Sequence, residues 1–121
     1  MDNMTRHDDR LPNKTYVWGI DLGEDAVCYT EDFVAQHGGP VNVRVGDRDL
    51  VIAYDPVFES LGAFYNDTGV PASRINFFGE SDQGKLERVE RLKPGVFWHV
   101  WAEFFPHTDI NRTVHATGAA A

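Results

Sequence analysis

A chain of 121 residues has room for one domain with one core, which buries roughly two thirds of the surface the unfolded chain exposes. Its composition, 42% hydrophobic with 12% aromatic and 25% charged residues, excludes a disordered or low-complexity protein. The formal charge of -8, with no run of Lys and Arg to offset it locally, repels phosphate and argues against nucleic acid or an anionic membrane as partner.

Cys28 is the single cysteine, so no intramolecular disulfide can form and the fold must be held by its core. No stretch reaches the roughly 20 apolar residues that span a bilayer. The first ten residues are too polar for a signal peptide, so the sequence as written is expected to stay in the cytoplasm, or to be exported if it is a fragment of a longer precursor.

Residues 1–13 are polar and without periodicity, residues 111–121 form a small-residue tail, and 14–110 are expected to make one globular unit flanked by flexible ends. Thr15 to Ile20 is rich in β-branched and aromatic residues, Leu22 to Asp25 supplies a turn, and Ala26 to Tyr29 completes a β-hairpin. Thr30 is placed to cap a short helix, with Glu31 and Asp32 in its first turn and Gly38-Gly39-Pro40 at its end. Val41, Val43 and Val45 alternate with Asn42 and Arg44, the period of a half-buried strand. Leu50 to Tyr54 is continuously apolar, as for a strand covered on both faces, and Asp55-Pro56 ends it. Leu61 to Tyr65 and Arg74 to Phe78 are further strand candidates. Phe97, Val100, Trp101, Phe104 and Phe105 fall at helical spacing and predict a closing helix that lays an aromatic face on the sheet, with Trp98 off that face. The expected fold is α+β: one mostly antiparallel sheet of about six strands, a short helix after the first hairpin, and an aromatic C-terminal helix packed on it.

Tyr16 to Ile20 with Ala26 to Tyr29, then Gly39 to Gly46, then Leu50 to Pro56, follow one another in an order and spacing that resemble the domain-of-unknown-function family DUF3179. The closing Trp101-Ala102, Phe105-Pro106 and Thr108 are similar to that family's ending and are the most specific part of the likeness. The resemblance implies a shared fold and no known reaction. Relatives carry cysteines around the proline where this chain has Asp55-Pro56-Val57-Phe58, so thiol chemistry is not expected there.

The candidate site residues are His37, Asn42, Tyr54 and Asp55. If the helix end and the end of the apolar strand lie together, they converge on one pocket, where a histidine beside a carboxylate acts as base or ligand. The simpler account gives His37 to the helix end and Asn42 and Asp55 to turn backbone. His99 and His107 lie too far apart in sequence for the i, i+4 pairing that aims two imidazoles at one ion, so no metal and no cofactor is expected. The expected function is therefore a small non-catalytic binding or interaction module with a protein partner or small ligand. The alternatives are an enzyme or metal-dependent protein using His37, Asn42 and Asp55, and a homo-oligomeric structural subunit that pairs through an exposed Trp98.

Overall fold

The computed structural model describes residues 10–90 and 92–113. In chain order the elements are β1 (Tyr16–Leu22), β2 (Asp25–Tyr29), α1 (Glu31–Gln36), β3 (Val41–Val45), β4 (Arg48–Asp55), β5 (Ser60–Tyr65), β6 (Glu80–Ser81), β7 (Gly84–Lys85), β8 (Glu87–Arg88), β9 (Leu92–Phe97), α2 (Trp98–Phe104) and β10 (Asp109–Ile110). The class is α+β, as the sequence predicts. The single sheet of about six strands is, however, divided into two sheets of four, ordered β10-β2-β1-β9 and β3-β4-β5-β8, with β6 and β7 a separate ribbon. All pairings are antiparallel except that of β10 with β2.

The division follows from side-chain alternation along the strands. Ile20, Val27 and Tyr29 of the first sheet meet Val41, Val43, Val45, Leu50, Ile52, Leu61 and Ala63 of the second, and Val34 of α1 joins them. The intervening residues Val17, Ala26 and Cys28 face away, toward α2. In the second sheet Val51 and Phe64 likewise face away, against Ala72, Leu86 and Ile75. Each sheet is thus apolar on both faces and needs two covers. One flat six-stranded sheet would leave one of these sets without a partner. Between the sheets the chain runs through α1, whose Thr30 cap accepts from the Phe33 amide at 3.3 Å, and reverses at Gly38, where φ is 89°.

Two local expectations change. Arg74 to Phe78 is not a strand: Asn76 Oδ1 accepts from the amides of Phe78 and Glu80, and this side chain bonding to nearby backbone replaces a ladder. Only Ile75 forms an isolated bridge, to Ser81. The closing helix is present, but its buried face is Trp98, Trp101 and Ala102, continued by the half-buried Phe105, whereas Phe104 is 73% exposed. Phe97 is extended and belongs to β9, so the helix starts at Trp98 and the i, i+3, i+4, i+7 stripe runs from there. Gly19 accommodates this choice: a Cβ on it would lie 2.4 Å from the Trp101 ring, so only glycine lets the indole lie flat on β1. Because Trp98 is fully buried, it supplies no exposed surface for self-association.

Beyond Ile110 the chain stays in contact with the domain. Arg112 pairs with Asp25 through both guanidinium Nη atoms at 2.9 Å and donates to the Arg44 carbonyl at 2.7 Å, linking the first hairpin to the second sheet. Asn111 accepts from the Thr30 amide, and the Tyr29 hydroxyl donates to the Arg112 carbonyl. At the other end Arg10 donates to the Thr108 carbonyl and Leu11 packs with the α2 cluster. The remainder of the expected flexible ends, residues 1–9 and 114–121, lies outside the described residues.

Candidate functional site

A polar groove runs across the end of β4. One wall is α1 with Gly39 and Pro40, the floor is Ala53 and Tyr54, and the opposite wall is the 73–77 segment. Its two main lobes, which share Ala53, Tyr54 and Ile75, have volumes of about 280 and 220 Å³. The first lobe is at the small end of ligand pockets, which run from about 300 to 1,000 Å³.

Of the residues singled out from sequence, Tyr54 and Asp55 line this groove, and neither His37 nor Asn42 is part of its lining. Asn42 works behind the wall. Its Nδ2 donates to the Ala72 carbonyl at 3.0 Å and its Oδ1 accepts from the Ala72 amide at 2.9 Å, so both ends of the amide hold the segment that leads into 73–77. Asp55 Oδ1 accepts from the amides of Val57 and Phe58 and shapes the β4–β5 turn. His37 is exposed, its Nδ1 3.2 Å from the Gly39 carbonyl and its ring against Phe33. Asp55 and His37 thus bond backbone within their own turns, whereas Asn42 reaches backbone 30 residues away, and each of the three is engaged with main chain rather than with another of the three. Among the described residues no three of His, Cys, Asp or Glu come together to hold a metal ion.

A second clamp escaped the sequence reading. Asp82 accepts from the Ser73 amide, the Ser73 hydroxyl and the Arg74 amide, pinning the wall from outside. Hydrogen bonding led by the Ser73 hydroxyl pulls its carboxyl down to about 2. Asp82 lies nine residues from Ser73 with no motif between them, and no sequence signal marks the pair. Tyr54 titrates above its ordinary value, first because the surrounding protein desolvates its hydroxyl and then because Glu31, Glu59, Asp32 and Asp55 place negative charge near it. Arg74, also unmarked in the sequence, lines the larger lobe.

A different hollow lies on α2. Val96, Val100, Trp101, Phe104 and Phe105 line an apolar depression of about 340 Å³ with no polar group in its surface. Beneath it the Trp101 indole donates to the Thr108 hydroxyl at 2.9 Å, in a buried bond, and meets the Phe105 ring at 4.3 Å between centroids, tilted by 37°. The residues that carry the family likeness at this end therefore have architectural work. Trp101 and Ala102 pack on the sheet, Phe105 flanks the indole, and Thr108 satisfies its N–H. No helix is long and apolar enough to cross a membrane among the described residues.

No curated protein and no solved structure matches the chain. The family model described as Protein of unknown function (DUF3179) matches residues 2–108, and the chain belongs to that family.

Proposed function

We propose that this chain is a non-catalytic binding module whose ligand surface is the groove over Ala53 and Tyr54. The observation that carries the reading is the Asn42 amide, spent at both ends on the backbone of Ala72: the polar group nearest to a catalytic assignment is a brace for the groove wall. Asp55 and His37 are engaged with backbone in the same way, which leaves shape, the Tyr54 ring and the rim charges as the means of recognition. The acidity of the chain supports a ligand other than nucleic acid.

Ligand-detected NMR with a fragment set of acids, amines and neutral rings tests this reading. Fragments are expected to bind the wild type and the His37→Ala variant alike and to lose binding in Tyr54→Ala, with folding of each variant checked by circular dichroism. Elemental analysis of gently purified protein tests the catalytic alternative. Stoichiometric metal in the wild type that disappears in His37→Ala would overturn the binding-module reading in favour of metal-assisted chemistry.

A further inference from the structure

The groove's charge layout narrows what it takes, given that it is a binding surface at all. Arg10 reaches the Thr108 carbonyl, Arg44 pairs with Asp49, Arg48 with Asp67, Arg88 with the Phe77 carbonyl, and Arg112 with Asp25. In a chain with this excess of acid, arginines find partners readily. Arg74 alone among the described arginines has a guanidinium with no hydrogen bond or ion pair to another described residue, and it lines the larger lobe. Its backbone, in contrast, is fixed, because the Arg74 amide donates to Asp82. Arg74, rooted in a braced wall, lines a lobe whose other lining includes Val34, Pro40, Ala53, Tyr54 and Ile75 together with the polar Ser73.

We infer that the groove recognises a small monocarboxylate with an apolar or aromatic body, its carboxylate paired with Arg74 and its body lying on Ala53, Tyr54 and Ile75. A guanidinium binds a carboxylate through two parallel N–H···O bonds, a geometry an ammonium lacks. The acids around Tyr54 restrict the charge of the ligand. Glu31, Asp32, Asp55 and Glu59 place negative charge near the Tyr54 hydroxyl, so a dianion such as a phosphate ester meets more repulsion in the groove than a single carboxylate held at Arg74.

The test uses three probes that share a phenethyl body and differ in the charge of the head group: 3-phenylpropionate, 3-phenylpropanamide and phenethylamine. Each is titrated into the full chain, and into Arg74→Gln, while amide chemical shifts are followed. Arg74→Gln keeps the main-chain bond to Asp82, so the wall stays braced. The expected result is that the acid perturbs residues 53–55 and 73–76, that the neutral amide binds there roughly fivefold more weakly, as for an exposed ion pair, and that Arg74→Gln reduces the acid to the level of the amide. Equal binding of acid and amide, tighter binding of the amine, or an acid affinity unchanged in Arg74→Gln overturns the carboxylate inference while leaving the groove as a binding surface. If none of the three probes moves the groove residues, the inference and the binding-module reading fall together.

Discussion

The outer faces of the two sheets are covered in opposite ways. Over the first sheet lies α2, whose Trp98, Trp101 and Ala102 seal Val17, Ala26 and Cys28 from water. Over the second lies a loop-rich segment, 66–89, which meets Val51 and Phe64 with a smaller apolar cluster. That segment is held in shape largely by side chains bonded to backbone, at Asn42, Asn66, Asn76 and Asp82. An apolar seal excludes water everywhere it touches and leaves no polar cleft. A loop braced from a few points stands off the sheet between them, and the groove is one of the gaps it leaves. The proposed recognition surface therefore lies on the cover that hydrogen bonds maintain, and the largest buried aromatics lie on the one that burial maintains.

The strongest test of this contrast is at the apolar seal. Trp101→Ala is expected to destabilise the fold by about 3 to 5 kcal/mol in denaturant titration, as for a large buried aromatic. Gly19→Ala should cost about 1 to 3 kcal/mol or more by overpacking, because its Cβ would enter the same indole. If both variants melt with the wild type, α2 is not the seal described.

Smaller and more informative losses are expected where one partner of a buried polar pair is removed. Thr108→Val leaves the Trp101 N–H without its acceptor, and Asn42→Ala leaves the Ala72 backbone without its brace, each costing about 1 to 3 kcal/mol. They differ in where the damage is felt. Asn42→Ala should perturb the amide resonances of 72–76 and weaken groove ligands, whereas Thr108→Val should spare the groove. Equal effects of both on ligand affinity would erase the division of labour.

The seam between the sheets gives a pH signature. Asp25 is held down at about 2 from 3.8, chiefly by the Arg112 side chain and further by the Gly46 amide. A carboxyl whose folded value lies below its unfolded one stabilises the fold fully above the unfolded value. That contribution is lost as pH falls from about 3.8 through about 2. Asp25→Asn is therefore expected to lower stability at neutral pH and to flatten its decline across this acid window, measured by thermal melts at several pH values. An unaltered slope would mean that Arg112 and Asp25 do not pair in solution. The smallest effect belongs to Phe104→Ala, which should change stability by no more than about 0.5 kcal/mol because that ring is mostly in solvent. A loss comparable with Trp101→Ala would mean that the exposed face of α2 is covered.

Much of the core was legible in the sequence, and the reason is locality. The alternation of Val41, Val43 and Val45, the apolar run from Leu50 to Tyr54 and the cap at Thr30 are set within a few residues, and each appears where expected. The face of α2 was not legible. Its apolar run satisfies two helical stripes, one through Phe97, Val100, Trp101, Phe104 and Phe105 and one through Trp98, Trp101, Ala102 and Phe105. Trp101 is common to both, and what selects between them is where Trp98 and Ala102 find cover, against Val17, Ala26 and Cys28 on strands far away in sequence. The site divides in the same way. Asp55 capping its own turn can be read locally, whereas Asn42 reaching Ala72, 30 residues on, depends on the fold already being formed. Arg74 gains meaning only from the engagement of the other arginines, which no segment of sequence displays.

The hydrogen bond from Arg10 to Thr108 spans 98 residues, and with β9, α2 and β10 it means that the first sheet is completed by segments that follow the whole second sheet in sequence. The second sheet builds its main pairings from the contiguous stretch β3 to β5. During synthesis β1 and β2 leave the ribosome before α2, so Val17, Ala26 and Cys28 lack this cover until Trp98 and Trp101 emerge. Order of assembly should therefore run against order of sequence, and pulsed hydrogen exchange during refolding reads it directly. Amides of 41–65 are expected to gain protection before those of 16–29, and simultaneous protection would show that the two sheets form as one unit.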